Sequence, residues 1–118
     1  QGQTLSVEEC IDATLQWHRD CEAMQSLCDH AIPMVMMRCL TAQDRAAWCT
    51  PHMDWLRSEQ QAQGKEDARL SAPTAQWTYQ MCFKHGIDKT DKRNKKACTA
   101  AYRAADSFCR NGQQGVML

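Results

Sequence analysis

The sequence predicts an all-α protein, a compact four- to five-helix bundle stapled by disulfides. Apolar residues recur at helical spacing along most of the chain, and no segment shows the apolar and polar alternation of a half-buried strand. Six of the eight cysteines form pairs eleven positions apart, close to three helical turns, so that both members of a pair lie on one helix face. These pairs are Cys10 and Cys21, Cys28 and Cys39, and Cys98 and Cys109.

The cysteine content indicates an oxidising compartment. We interpret the 118 residues as one disulfide-rich helical domain, 1–118, of a size that can bury only a modest core. An even number of cysteines at helical spacing is typical of a disulfide framework, and the short spacings of zinc sites do not occur. We therefore predict a secreted or periplasmic protein without a cofactor. No apolar run approaches the roughly 20 residues of a membrane span.

The charges of the chain balance. Fourteen basic and fourteen acidic residues disfavour binding to nucleic acid. Basic residues nevertheless cluster late in the chain, either as a solvated turn and helix start or as a partner-binding patch. The candidate partner-binding residues are Lys84, Lys89, Lys92, Arg93, Lys95 and Lys96.

The first helix is predicted over residues 6–26. Ser6 and Glu9 form the S-x-x-E pattern of a capping box, and Ile11, Thr14, Leu15 and His18 share one helical stripe. A second capping pattern, at Ser26 and Asp29, predicts that the chain breaks near Ser26. Without that break the helix would run on to about residue 31.

The second and third helices are predicted over 33–40 and 42–62. Pro33 disrupts a helix interior because its ring removes a backbone donor, so a short apolar helix is expected to follow it. Thr41 and Asp44 are predicted to cap the third helix, which Pro51 can restart or kink. The polar stretch around Gly64 is predicted to be the longest loop.

The last two helices are predicted over 74–85 and 91–110. Thr74 is expected to cap the first of them and Gly86 to end it, while Asp88 or Thr90 caps the second. The apolar stripe of the last helix consists of Ala97, Cys98, Ala101, Tyr102, Ala105, Phe108 and Cys109.

These helices predict a disulfide map. If the chain turns between Cys21 and Cys28, the first two helices run antiparallel, and the equal spacings place Cys10 opposite Cys39. In one unbroken helix Cys21 and Cys28 would lie about 10.5 Å apart, beyond the limit of about 7 Å between bridged Cα atoms. An antiparallel last pair of helices places Cys98 against Cys82 and leaves Cys109 for Cys49.

The most favoured function is protein binding, not catalysis. His18, Asp20 and Glu22 lie near one another in sequence, but such spacing usually marks a solvated helix edge, and a fully bridged chain has no thiol nucleophile. We therefore expect no enzyme. The expected role is a rigid helical surface presented to another protein, as in a secreted effector, a toxin or a periplasmic immunity or inhibitor protein.

Two alternatives stay open. Trp17, Trp48, Trp55 and Trp77, together with methionines, could line an interior that carries a small apolar ligand. Methionine and histidine at helical spacing also suit copper(I), although methionine often fills cores. The candidate copper ligands are His30, Met34, Met37, His52, Met53, Met81 and His85.

Overall fold

The structure is a computed structural model that describes residues 5–42, 45–62, 75–87 and 90–111. Every regular element in these ranges is an α-helix, which confirms the predicted all-α fold class. The helices are α1 (Val7–Asp20), α2 (Gln25–Leu40), α3 (Ala46–Ala62), α4 (Ala75–Phe83) and α5 (Lys92–Arg110).

Helix α5 is the centre of the bundle, because it packs against each of the other four helices. Its predicted apolar stripe, from Ala97 to Cys109, is buried. Tyr102 and Phe108 are the largest fully buried side chains of the described residues. The packing is therefore organised around the last helix, whereas the most regular cysteine pattern lies in the first two.

Helix α1 begins as the sequence predicts. The Ser6 hydroxyl accepts a hydrogen bond from the Glu9 amide at 3.1 Å, and the Glu9 carboxylate accepts one from the Ser6 amide at 2.9 Å. This reciprocal pair is a complete capping box. The buried side of α1 includes Ile11, Leu15 and His18, so the predicted core stripe of this helix is confirmed.

The first helix ends earlier than predicted. It stops at Asp20, not at residue 26, and Cys21 already has extended backbone angles (φ −69°, ψ 122°). Ser26 consequently lies inside α2 and is not its cap; the N-cap is Met24, which makes no side-chain hydrogen bond. The disulfide between Cys21 and Cys28 explains the early break, because one unbroken helix would hold these cysteines too far apart.

Pro33 lies inside α2 and does not begin it. The predicted helix over 33–40 is thus too short, since α2 starts at Gln25. A proline in a helix interior costs about 3 kcal/mol. The fully buried side chains on either side of it, Ile32 and Met36, anchor the helix in the core and offset that cost. Pro51 likewise lies within α3.

The connection between α2 and α3 is capped differently from the prediction. Thr41 ends α2, because its hydroxyl donates to the Met37 carbonyl at 2.8 Å. Asp44 lies outside the described residues. The third helix begins at Ala46 and not at residue 42.

Buried Arg45 holds the end of α2. It is 4% exposed, and it donates to the carbonyl oxygens of Leu40 at 3.0 Å and Cys39 at 2.7 Å. A third bond, to the Leu5 carbonyl at 2.5 Å, ties the start of the described chain to this point. A cation at a helix C-terminus is favoured because the last carbonyls there have no partner within the helix.

The turn between α4 and α5 forms near the predicted place. Helix α4 ends at Phe83, two residues before the predicted end, and Gly86 has the expected left-handed backbone (φ 79°). Helix α5 is capped by Asp91, whose carboxylate accepts the Asn94 amide at 3.2 Å. The cap is therefore not Thr90, and Asp88 lies outside the described residues, as does Thr74.

Four disulfides connect the helices, and all eight cysteines take part. They link α1 to α2, the start of α2 to the preceding turn, α3 to α5, and α4 to α5. The Cα to Cα distances lie between 5.2 and 6.2 Å, within the range of unconstrained bridges. These pairs, which the helical spacing also predicts, are Cys10–Cys39, Cys21–Cys28, Cys49–Cys109 and Cys82–Cys98.

Candidate functional site

A groove of about 730 Å³ runs along the outer face of α5, between α2 and α4. Its floor consists of small α5 side chains, and its two walls are Pro33 of α2 and Tyr79 of α4. Successive floor residues after Ala100 lie four and three positions apart and share one side of the helix, with Thr99 next to Ala100 at its edge. The floor residues are Thr99, Ala100, Ala104 and Ser107.

Four cationic side chains line this groove: Lys92, Lys95, Lys96 and Arg103. The Lys95 ammonium lies 4.2 Å from the centre of the Tyr79 ring, a cation–π contact. Lys92 and Arg103 are exposed, and neither forms an ion pair with another residue in the described ranges. Within the described part of the chain, no carboxylate lines the groove, so these residues give it a positive local charge although the whole chain is neutral.

A second cavity, of about 400 Å³, continues the groove toward the start of α2. The two share Lys96 and Ala100. Asp29 lies at this end, and its carboxylate contacts His18 Nε2 at 2.7 Å and the Lys96 ammonium at 3.4 Å. The hydrogen bond from His18, assisted by Lys96, lowers the pKa of Asp29 and keeps it ionised. This carboxylate therefore offsets part of the charge of one groove lysine.

The structure brings together half of the predicted basic patch. Lys92, Lys95 and Lys96 line the groove, whereas Arg93 donates to the His18 carbonyl at 3.5 Å and Lys84 lies in the turn after α4. Lys89 is outside the described residues.

Sequence reasoning missed several groove residues. Arg103 lies seven positions after Lys96 and so on the same helix face, a signal that extending the basic stripe along the helix would have found. Pro33 and Tyr79 could not have been found in this way, because they come from other helices whose packing on α5 is a tertiary feature.

The predicted copper ligands lie in different surroundings. His30 and Met34 are exposed on α2, and Met37, Met53 and Met81 pack against the core. His52 and His85 already contact carboxylates. Within the described ranges, no group of three or more His, Cys, Asp or Glu side chains could hold a metal ion.

His85 is the centre of a hydrogen-bonded network between α1 and α5. Its Nδ1 lies 2.5 Å from the Asp12 carboxylate, and its Nε2 lies 2.9 Å from Glu8 and 2.6 Å from the Tyr102 hydroxyl. Burial disfavours the imidazolium, but the bonds to Asp12 and Glu8 outweigh this effect and raise the pKa of His85.

Glu8 is the acidic counterpart in that network. Burial opposes its ionisation, but hydrogen bonds from Tyr102, His85 and Trp48 prevail and lower its pKa. Tyr102 shifts the other way: burial and the bond to Glu8 raise the pKa of its hydroxyl, which therefore stays protonated. Glu8, His85 and Tyr102 thus connect three elements, and the pKa shifts favour an ionised Glu8, a protonated His85 and a neutral Tyr102 hydroxyl.

His52 occupies an aromatic cluster on α3. It stacks on Trp48 with the ring centres 4.9 Å apart, and Trp77 and Trp55 lie at 5.2 and 5.9 Å. Its Nε2 is 2.6 Å from the buried carboxylate of Asp106. All four tryptophans of the chain are partly buried, so these rings support the core and do not form an open aromatic surface.

The three residues considered for catalysis do not come together. His18 is fully buried and pairs with Asp29, while Asp20 and Glu22 are exposed. Asp20 instead accepts a hydrogen bond from Gln16 of the same helix at 3.0 Å.

Comparison with known proteins adds no relative: no family model, no curated protein and no solved structure matches this chain. Among the helices that the structure describes, none has both the length and the apolar character to cross a membrane.

Proposed function

We propose that this protein is a secreted, non-enzymatic interaction module that binds an acidic segment of another protein in the groove on α5. The observation that carries the proposal is the placement of four cationic side chains around a floor of small residues. Cationic side chains around an apolar surface favour a ligand that is both anionic and apolar.

The position of the groove on the helix that packs against all four others supports this proposal. Two disulfides attach α5 to its neighbours, Cys49–Cys109 to α3 and Cys82–Cys98 to α4. A floor that does not rearrange on binding keeps the entropic cost of association low. Four disulfides also suit an oxidising environment, the one in which a secreted protein meets its partner.

The shape of the groove favours a peptide segment over a buried small molecule. Its volume is within the range of about 300 to 1,000 Å³ for ligand sites, but it lies on the surface between three helices. Among the residues that the structure describes, neither methionine nor tryptophan lines either of these two cavities. These two cavities therefore do not support a carrier with a methionine- and tryptophan-lined interior.

Site-specific crosslinking followed by charge reversal tests the proposal. A photoreactive residue at Thr99, on the groove floor, is introduced into the protein in its native secreting host, with a second version at exposed Arg57 of α3 as the control. We expect Thr99, and not Arg57, to crosslink one partner. That partner is then purified, and its affinity is measured for the wild type, Lys92→Glu, Arg103→Glu and Lys84→Glu.

Each groove variant should weaken binding about tenfold or more, since it replaces an attraction to the acidic segment with a repulsion. Added salt should weaken wild-type binding as well. Lys84→Glu makes the same charge change outside the groove and should leave the affinity unchanged. Equal affinity for all four proteins, or crosslinking from Arg57 alone, would show that the groove is not the binding site.

A further inference from the structure

The geometry points to an amphipathic α-helix as the occupant of the groove: we infer a partner helix of about four turns with a stripe of carboxylates beside a stripe of small or apolar residues. This inference rests on the proposed function and specifies the form of the acidic segment. Its basis is the spacing of the groove cations, the length and floor of the groove, and the absence of a sheet edge in the described chain.

The cations of α5 form a straight stripe. Lys92, Lys96 and Arg103 follow one another at intervals of four and seven positions. At about 100° per residue, all three lie within about 40° of one another around the helix, at successive rises of about 6 and 10.5 Å. A partner helix lying along α5 can place carboxylates opposite all three cations, because carboxylates four and seven positions apart share one helix face at the same rises. An extended peptide rises about 3.3 Å per residue and alternates its side chains between two faces, so it does not place carboxylates on one face at both of these rises.

The length of the groove matches a short helix. Its lining on α5 extends from Lys92 to Ser107, which is about 22 Å at 1.5 Å per residue. A partner helix of about four turns covers this distance.

The floor permits close helix packing. Ala100 and Ala104 lie one turn apart, between Thr99 and Ser107, and small side chains allow two helix axes to approach to about 8 Å. The walls extend the apolar surface beyond the floor. Phe83, one turn after Tyr79 on α4, is 73% exposed, and Met34, next to Pro33 on α2, is 57% exposed. Both wall helices therefore expose apolar side chains, which lie outside the groove lining itself.

The other common modes of peptide binding lack their structural basis here. Strand addition needs an open sheet edge, and residues 5–42, 45–62, 75–87 and 90–111 contain no strand. Binding of a polyproline segment needs a row of aromatic side chains, and among the described residues Tyr79 is the one aromatic side chain in the groove lining. A helix in a groove remains, with its apolar anchors on one stripe.

Three synthetic peptides of about four turns test this inference on the intact oxidised protein. The first peptide has four Glu at successive intervals of four, three and four positions, beside a stripe of Leu and Ala. In either direction along α5, three of these Glu match the intervals of four and seven positions between the groove cations. The second has the same composition with the Glu distributed around the helix. The third is the first with a central proline, which breaks the helix and keeps the charges.

We expect the first peptide to bind at least about tenfold more tightly than the other two, a difference of about 1.4 kcal/mol. It should become helical by circular dichroism on binding and shift the amide resonances of Thr99 and Ala104. Arg103→Glu should weaken its binding about tenfold, and Lys84→Glu should not.

The outcomes separate this inference from the proposed function. If all three peptides bind equally and all depend on Arg103, the groove binds acidic segments and only the helical form is wrong. The helical form is also wrong if the crosslinked partner depends on the groove and none of the peptides binds. If peptide binding occurs but Arg103→Glu does not affect it, both the inference and the groove assignment fail.

Discussion

Three of the four histidines join helices through carboxylates. His18 of α1 contacts Asp29 of α2, and His52 of α3 contacts Asp106 of α5. The third, His85, connects the turn after α4 to α1. Protonation of His85 strengthens its contacts with Glu8 and Asp12, because both partners of each contact are then charged. The stability of the bundle should therefore depend on pH.

The His85 network predicts the direction of that dependence. The folded-state pKa of His85 is raised above its ordinary value of 6.5. Its contribution to stability is thus complete below about pH 6.5 and is lost as the pH rises through the folded-state pKa. The pKa of Glu8 is lowered from 4.5, so its contribution is complete above that value and is lost on acidification. Between these two values both groups contribute fully.

His85→Gln should therefore destabilise the protein more at about pH 5.5 than at about pH 8. At the lower pH we expect a loss of roughly 1 to 3 kcal/mol, the range for a buried group that leaves its partners unsatisfied. Urea unfolding at both values measures it. Exposed His30→Gln removes an imidazole outside the network and should follow the wild type at both pH values. A loss for His85→Gln that is equal at the two values would exclude His85 as the titrating group.

At the scale of the elements, helix interiors were more predictable than helix ends. The buried stripes of α1 and α5 follow from the spacing of apolar residues, since an amphipathic helix buries one face. The ends of α1 and α2 depend on tertiary constraints. The break after Asp20 is set by the Cys21–Cys28 bridge, and Arg45, forty positions away from Leu5, ties that residue to the end of α2.

The candidate site was only partly predictable for the same reason. Lys92, Lys95 and Lys96 belong to one charged run and one helix, so the sequence marks them as a patch. The groove exists because Pro33 and Tyr79 are placed on either side of α5 by packing and disulfides. Local sequence patterns contain no signal for such long-range placement.

Pro33 offers a test of how the core overrides local propensity. An alanine there restores the amide that donates to the carbonyl four residues earlier and removes the crowding by the ring. The flexibility that alanine adds to the unfolded chain opposes this gain by about 0.4 to 1 kcal/mol. We expect Pro33→Ala to stabilise the protein by about 1 to 2 kcal/mol, since the removed penalty is about 3 kcal/mol and the helix has partly adapted to it.

Thermal and urea unfolding of Pro33→Ala measure this gain. The same substitution at exposed Pro51 of α3 is the matched control for a proline inside a helix, and it should act in the same direction. A destabilised Pro33→Ala beside a stabilised Pro51→Ala would show that the ring of Pro33 contributes more by packing than it costs the helix.

For the whole molecule, the disulfides divide the chain into loops of very different length. The bridged cysteines are separated by 60 residues for Cys49–Cys109 and by 29 for Cys10–Cys39. The separations are 16 and 7 residues for the remaining two bridges. A bridge restricts the unfolded chain more when it closes a longer loop. Each of the two long loops encloses one of the short bridges. The enclosed bridge shortens the effective length of the long loop, but the order of the four loop lengths is unchanged.

Removal of the bridges one at a time should therefore destabilise the protein in the order of these loops. The loop-entropy relation assigns about 4.3 kcal/mol to the longest and about 2.4 kcal/mol to the shortest. We expect Cys49→Ala/Cys109→Ala to lose the most free energy of unfolding and Cys21→Ala/Cys28→Ala the least, as measured in urea without reductant. Mass spectrometry should first show that the unreduced wild type lacks the eight cysteine hydrogens. If removal of the Cys21–Cys28 bridge lowers the free energy of unfolding more than removal of the Cys49–Cys109 bridge, the entropic account is wrong for this bundle. Strain and packing around the turn at Cys21 would then dominate.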